Sequence, residues 1–301
     1  MSELSHGGSQ RAGTRYKRRL LLVFGIVLVF MVVEFVAGFL TNSLALLSDA
    51  GHMATDALGL GMALAAIVAA DRANRHDTRT FGLYRLEILA ALANAMLLFA
   101  VAGYVLYEAI NRFQDPPEVL SGPMLVVAIL GLVVNLVGWW LLRDGARESV
   151  NVEGAYLEVI ADLIGSLGVI AAAITIQLTG WTYADPLFGA AIGLFILPRA
   201  WRLGSRAIRI LVQAAPAGLD LDDVRTRLAS LEGVTGVHDL HVWTLTSEMD
   251  VASVHVMTSD DADTHSILDQ ATDVLRDEFA IAHATLQVEP ESHQQCVEAS
   301  W

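Results

Sequence analysis

The amino-acid sequence predicts a membrane all-α bundle of six transmembrane helices, followed by a small cytoplasmic α+β domain. Of 301 residues, 54% are hydrophobic and only 17% are charged, whereas soluble domains are about a quarter charged. Six apolar segments each reach the roughly 20 residues that a helix needs to cross a bilayer. The formal charge of −14 is confined to residues 214–301, which hold 17 acidic and 3 basic residues, while residues 1–213 hold 16 of each. Two chemically different parts therefore join near Gln213.

The six predicted spans differ in how clearly they are marked. They cover approximately residues 20–40, 44–70, 88–110, 119–142, 154–180 and 186–210. The third and fourth carry no charged residue over Ile88–Tyr107 and Val119–Leu142. Asp115-Pro116-Pro117 and Asp185-Pro186 break the helices at the outer turns. The first apolar run is too long for the core of a cleavable signal peptide, so we expect it to be a membrane span.

The basic residues predict the orientation of the spans. Fifteen Lys and Arg residues flank the helix ends on one side, and only Arg112 lies on the other. The positive-inside rule then places both termini in the cytoplasm. We expect a multi-pass protein of the cytoplasmic membrane, divided into a tail (1–19), a transmembrane domain (20–212), a cytoplasmic domain (213–290) and a C-terminal tail (291–301).

Ionisable residues inside two of the spans are the strongest functional signal. His52 and Asp56 in the second span, and Glu158 and Asp162 in the fifth, are each spaced i and i+4 and so share a helical face. Each such residue costs on the order of 3 kcal/mol in the membrane and needs a partner or a function. One imidazole and three carboxylates suit a tetrahedral divalent ion such as Zn²⁺. For any one of them alone, an interhelical hydrogen bond is an equally good interpretation.

Small residues around these groups would let the two helices approach closely; they are Gly51, Gly59, Gly61, Gly165 and Gly168. Asp49 lies three residues before His52, on the same face. Two interpretations of Glu34 in the first span stay open. It lines a water cavity or proton path, or it serves packing or snorkelling. We expect Asn94 and Asn135 to form interhelical hydrogen bonds.

The pattern after Gln213 changes to that of a soluble α+β domain. Apolar residues at Leu221, Val224, Leu228 and Leu231 predict an amphipathic helix. Alternation predicts strands over Val234–Leu245 and Asp250–Met257, followed by a helix over 267–279 and a strand over 284–288. The order αββαβ indicates a two-layer domain. Its acidic charge concentrates cations or merely aids solubility, and it argues against nucleic-acid binding.

The histidines of this domain predict a second metal site. His238, His255 and His283 rank first because they lie in or beside strands that can converge, with Asp239 or Glu289 as further ligands. Surface or capping roles are the alternative, and they apply equally to His241 and His265. His293 and Cys296 form a weaker pair. Because Cys296 is the sole cysteine, an intrachain disulfide and a Cys-rich zinc module are both excluded.

Five segments resemble the cation diffusion facilitator family, in its zinc/cobalt/cadmium-exporting branch. They are Ser43–Asp56 (SLALLSDAGHMATD), Thr80–Glu87 (TFGLYRLE), Asn151–Asp162 (NVEGAYLEVIAD), His238–Trp243 (HDLHVW) and His283–Glu289 (HATLQVE). The resemblance covers about residues 17–290 in one register. It implies a homodimeric antiporter that moves a divalent metal, Zn²⁺ above all, out of the cytoplasm in exchange for protons. It also implies a metallochaperone-like dimerisation domain and no cofactor beyond the metal.

One departure from the family pattern bears on the metal. The branch has a His-x-x-x-Asp pair on both helices, whereas the fifth span offers Glu158 in place of the histidine. A hard oxygen ligand shifts the preference away from soft metals, which brings Co²⁺, Fe²⁺ and Mn²⁺ into consideration beside Zn²⁺ and Cd²⁺. The loop over residues 143–150 lacks a His-rich tract. Arg79 and Leu83 occupy two ligand positions of a loop site found in some relatives, so we expect that site to be missing.

Three function classes compete on the sequence alone. A secondary transporter uses the four-residue site for metal and proton in turn. A membrane-bound metal sensor has no evident need for two carboxylate-bearing pairs inside the membrane. A membrane enzyme is disfavoured, because neither a Ser/His/Asp set nor a His-Glu-x-x-His motif is present.

Overall fold

The structure, a computed structural model, describes residues 7–73, 81, 83–144, 150–246 and 249–292. The chain divides into two compact units, one of Met1–Gly61 and Ala93–Arg202 and the other of Met62–Leu92 and Leu203–Trp301. Arg79 and the pair His293 and Cys296 lie outside the described residues.

Six long helices confirm the predicted bundle, and several run past the apolar segments. They are α1 Gly7–Thr41, α2 Leu44–Ala73, α3 Arg85–Gln114, α4 Ser121–Leu142, α5 Val150–Thr179 and α6 Ala184–Leu211. Helix α1 thus starts inside the predicted tail 1–19. Among the described residues, five helices are long and apolar enough to span a membrane. Helix α2 is the sixth long helix, and it carries Asp49, His52 and Asp56.

Small side chains pack the helices of the first unit. Ala45 and Leu46 of α2 meet Met124 and Ala128 of α4. Residues of α5 complete this cluster: Val169, Ala172 and Ala173. Many other large apolar residues point outward, as with Leu178, which is 80% exposed. A surface of this kind suits lipid rather than water, because soluble proteins rarely expose large apolar patches.

Asp185, in the first turn of α6, caps the N-terminus of α2. Its carboxylate accepts hydrogen bonds from Ser43 Oγ (2.6 Å), Leu44 N (2.7 Å) and Ala45 N (3.1 Å). These amides would otherwise lack partners at the helix start. Arg112 of α3 donates from Nη1 to the carbonyl of Asn42 at 2.5 Å and lies 3.5 Å from Asp185 Oδ2. The one basic residue predicted on the outer side therefore ties α3 to the turn between α1 and α2.

The C-terminal segments have the predicted αββαβ order. They are α7 Leu221–Ala229, β1 Val234–Thr246, β2 Met249–Thr258, α8 Thr264–Asp277 and β3 His283–Pro290. Strand β2 is central, antiparallel to β1 and parallel to β3. The side chains of Asp220 and Asp263 cap α7 and α8 by accepting backbone N–H bonds, a role in which Asp is strongly preferred.

The two faces of this sheet differ in character. Val254 and Val256 of β2 join Val224 of α7 and Ala271 of α8 in one hydrophobic core. Because side chains alternate along a strand, His255, between the two valines, lies on the opposite face. That face carries the candidate metal-binding histidines.

Candidate metal centres

The first candidate centre lies between α2 and α5. His52, Asp56 and Glu158 each place a ligand atom within 4.8 Å of the others. On α2, His52 Nε2 is 3.7 Å from Asp56 Oδ2, as the i,i+4 spacing predicts. The three residues offer one imidazole nitrogen and two carboxylates, a donor set used by Zn²⁺ and other divalent metals.

Asp162, the fourth predicted ligand, lies beside this group rather than within it. It sits one turn after Glu158 on α5 and is 6% exposed. Its charge interacts with those of Asp49, Asp56 and Glu158. Its Oδ1 atom is buried and accepts no hydrogen bond from the residues that the structure describes. A buried oxygen without a donor is unfavourable, and a cation would satisfy it.

The sequence analysis missed a cation that contacts this centre, Arg199 of α6. Its Nη1 and Nη2 atoms donate to the two oxygens of Glu158 at 2.5 and 2.6 Å, and Nη1 lies 3.1 Å from Asp56 Oδ2. In the sequence analysis Arg199 counts only among the fifteen basic residues that flank helix ends on one side. A signal was available, since Arg199 lies inside the predicted span 186–210 and an ionisable residue there needs a partner.

Exposure increases from one end of the centre to the other. The His52 side chain is 6% exposed and that of Asp56 is 22% exposed. The side chains of Arg199 and Glu158 are 33% and 41% exposed. The Glu158–Arg199 end is therefore the end of the centre that is more exposed at the protein surface, and His52 lies at the buried end.

A second candidate centre lies on the face of the sheet opposite the hydrophobic core. His238 and His255 are directly paired across β1 and β2, with ring centroids 5.1 Å apart. Glu289 of β3 is 4% exposed. Its carboxylate lies 3.0 Å from His255 Nδ1 and 3.7 Å from His238 Nε2. Ligand atoms of all three residues lie within 4.8 Å of one another.

Comparison with known proteins identifies the family of the chain that carries these two centres. The family model of the cation efflux transmembrane domain matches residues 20–212, and that of the cation efflux protein cytoplasmic domain matches residues 216–291. The chain belongs to the cation efflux family. The resemblance drawn from the five segments is thereby confirmed.

Curated members of the cation efflux family match most of the chain. The metal cation efflux system protein CzcD of Cupriavidus metallidurans is 45% identical over 91% of this chain and 86% of its own length. A cadmium, cobalt and zinc/H⁺-K⁺ antiporter of Bacillus subtilis is 40% identical, covering 92% of this chain and 90% of its own length. The zinc transporter ZitB of Escherichia coli is 42% identical, and the match covers 95% of this chain and 91% of the length of ZitB.

A solved domain structure also matches part of this cation efflux protein. It is the metal-bound C-terminal domain of the CzcD transporter from Cupriavidus metallidurans, with 35% identity over 24% of this chain and 99% of that one, at a TM-score of 0.23.

In this cation efflux protein the structure does not bring the predicted ligand His283 to the second centre. His283 is the first residue of β3 and pairs with Val251, whereas His255 pairs with Gln287. Four residues of strand, roughly 13 Å at 3.3 Å per residue, separate His283 from the place beside His255. Glu289, named in the sequence analysis only as a further ligand, is the residue of β3 that joins His238 and His255.

The other polar residues singled out from the sequence also have defined places. His241 contacts Asp239 at 3.2 Å and His265 lies 3.8 Å from Asp269, so neither belongs to the second centre. Asn135 donates to Ser166 Oγ at 3.2 Å, which confirms an interhelical hydrogen bond.

Glu34 of α1 faces Asp49 and Asp162 closely enough for their charges to interact. It is only 1% exposed. A side chain so enclosed does not extend along the protein surface as a snorkelling residue would.

Proposed function

We propose that this chain exports divalent metal cations from the cytoplasm, Zn²⁺ foremost, by exchange for protons with alternating access. The observation that carries this proposal is the meeting of His52, Asp56 and Glu158 between two helices of a membrane bundle. Ionisable groups at such a depth mark ion pathways. The names of the three relatives, an efflux protein, an antiporter and a zinc transporter, support the same function.

The ligand chemistry supplies the coupling. Imidazole and carboxylate groups bind metal only in their deprotonated forms, so metal and protons compete for the same atoms. Metal enters from the cytoplasmic side as the ligands lose protons, and protonation from the outer side expels it. His52 is suited to this exchange because the ordinary pKa of an imidazole, about 6.5, is close to neutrality. Asp162 serves as the fourth ligand in this proposal.

The ligand set also bears on which metals are carried. Glu158 contributes carboxylate oxygen where the two-histidine pattern has nitrogen. Oxygen donors favour harder ions, so we propose that Co²⁺, Fe²⁺ or Mn²⁺ compete better with Zn²⁺ and Cd²⁺ than in a two-histidine relative.

We further propose a homodimer in the cytoplasmic membrane with both termini in the cytoplasm. The excess of basic residues at one set of helix ends supports the orientation. The match of residues 216–291 to the family's cytoplasmic domain supports the proposed segment 213–290 as the dimerisation domain. His238, His255 and Glu289 make this segment a candidate metal-responsive element.

Metal flux into sealed proteoliposomes tests the proposal. Wild-type protein should accumulate Zn²⁺ when a proton gradient is imposed, and Asp162→Ala should abolish uptake because the metal loses a charged ligand. The matched control is Asp115→Ala, which removes an exposed carboxylate at the end of α3 and should transport normally. A protein that binds metal without any flux would favour the membrane sensor, and wild-type flux in Asp162→Ala would refute the site.

A further inference from the structure

The guanidinium of Arg199 holds the same oxygens that a metal would use. It engages both oxygens of Glu158, and its Nη1 atom also reaches Asp56 Oδ2. That Asp56 oxygen is the one that faces His52 Nε2, at 3.7 Å. One planar cation therefore bridges the α2 and α5 sides of the candidate site, in the fork geometry that arginine adopts with carboxylates.

We propose that Arg199 is a tethered cation that occupies the Asp56–Glu158 side of the transport site between cargo ions, and that each incoming metal ion displaces it. This inference rests on the proposed transport function. It adds that Arg199, which is not itself a metal ligand, sets the affinity of the site for metal.

Displacement follows from charge and from the atoms shared. A metal bound to Asp56 and Glu158 at about 2.0–2.2 Å would lie close to the guanidinium, and two cations at such a distance repel each other. The guanidinium is attracted to this place only while the carboxylates lack a metal. When the ion arrives, the Glu158 oxygens exchange a bidentate hydrogen bond for a metal bond.

The exposure of the pair and the sequence of α6 allow Arg199 to move. Its side chain is 33% exposed, so the head group can swing toward the more exposed end of the site. Pro198 precedes it inside the helix. Because a proline has no N–H, Pro198 cannot donate the helical hydrogen bond to the carbonyl of Leu194. The helix backbone therefore lacks one hydrogen bond at the residue just before Arg199.

A tethered competitor has two consequences for transport. It weakens metal binding, because part of the attraction of the carboxylates is spent on breaking the Arg199 contacts, and weaker binding speeds release. It also discriminates by valence, since a monovalent ion offers the two carboxylates no more charge than the guanidinium that it must replace. A divalent ion offers twice that charge.

The test is isothermal titration of full-length protein in detergent with Zn²⁺. All proteins carry His238→Ala and His255→Ala, which remove two ligands of the second centre. Arg199→Gln should bind Zn²⁺ on the order of tenfold more tightly, and Arg199→Lys should fall between the two because an ammonium cannot form the bidentate fork. Arg206→Gln, which removes an exposed cation two turns further along α6, should bind as the parent does.

The outcomes separate this inference from the proposed function. Unchanged or weaker Zn²⁺ binding in both Arg199→Gln and Arg199→Lys would overturn the displacement, even if Asp162→Ala abolishes binding and the site stands. Undiminished binding in Asp162→Ala would instead refute the site itself. If Arg199→Gln does not fold, Arg199→Lys alone decides, because tighter binding supports the competitor and looser binding makes Arg199 a support for the bound metal.

Discussion

Gly165 of α5 lies directly against the carboxylate of Asp49 on α2. A Cβ atom at position 165 would overlap Asp49 Oδ1, so any larger residue there requires the buried Asp49 side chain to shift. The contact is between the two helices that carry His52, Asp56 and Glu158. Gly165 therefore has a specific effect, because it lets a polar face of α2 pack against α5. Gly51 and Gly59, also noted in the sequence, instead lie against Val101 and Asn94 of α3.

Gly165→Val should disrupt the transport site without removing any ligand. The added side chain must push Asp49 aside and separate the ligands of α2 from Glu158, and misplacement by about 1 Å can reduce a rate on the order of 100-fold. Zn²⁺ uptake by proteoliposomes measures the effect. Gly168→Ala is the control, since a Cβ there would meet Phe188 at an ordinary 3.7 Å. Equal uptake by both variants would show that the close contact does not position the ligands.

Asp185→Ala should destabilise the helix bundle without weakening metal binding. The change leaves the N–H groups of Leu44 and Ala45 without their acceptor, while Arg112 keeps its ion pair with Glu108 at 2.9 Å. Loss of a buried acceptor costs about 1–3 kcal/mol. The melting temperature of the detergent-solubilised protein should fall, while its affinity for Zn²⁺ stays the same. Asp115→Ala should melt like the wild type, and an unchanged melting temperature in Asp185→Ala would contradict the capping role.

The second centre should make the cytoplasmic segment respond to metal. Residues 214–301 contain a hydrophobic core of their own, so we expect the isolated segment to fold and self-associate. A ligand present at 100 times its Kd adds about 2.7 kcal/mol to the stability of the folded state. Added Zn²⁺ should therefore raise the melting temperature.

Two single substitutions assign that response to residues. His255→Ala should abolish the rise because it removes a member of the three-residue cluster, whereas His283→Ala should preserve it. The opposite result would restore the ligand set predicted from the sequence alone. A strictly monomeric segment that ignores Zn²⁺ would refute the regulatory role and leave transport untouched.

The sequence predicted the elements better than the contacts between them. Helical spacing is a local property, and it is sufficient to place His52 near Asp56. Which of His283 and Glu289 lies beside His255 depends on the register of β2 with β3. The alternation of apolar and polar residues along a strand does not specify that register. The partner of Arg199 comes from another helix, and hydropathy gives no information on which helices are neighbours. Local pattern thus identified three clustered ligands and missed the cation that bridges two of them.

Glu158→His should shift the metal preference toward Zn²⁺ and Cd²⁺ relative to Co²⁺ and Mn²⁺. The substitution exchanges a carboxylate for the imidazole of the two-histidine pattern, and nitrogen donors suit these softer ions better. It also removes the bidentate partner of Arg199. An imidazole must lose its proton to bind metal, and with an ordinary pKa of about 6.5 it binds less as the pH falls through that value. Transport by the variant should therefore decline more steeply from pH 8 to pH 6 than transport by the wild type, which has a single imidazole in the site.

Competition transport with metal pairs, in wild type and variant across that pH range, measures both effects. Glu158→Gln is the matched control, because it removes the same charge without adding an imidazole. Its pH profile should lack the steeper decline, although it also releases Arg199. If Glu158→His leaves both the ranking of metals and the pH profile as in the wild type, Glu158 does not contact the metal. The site would then consist of His52, Asp56 and Asp162, and the hydrogen bonds from Arg199 would serve only to join α6 to α5.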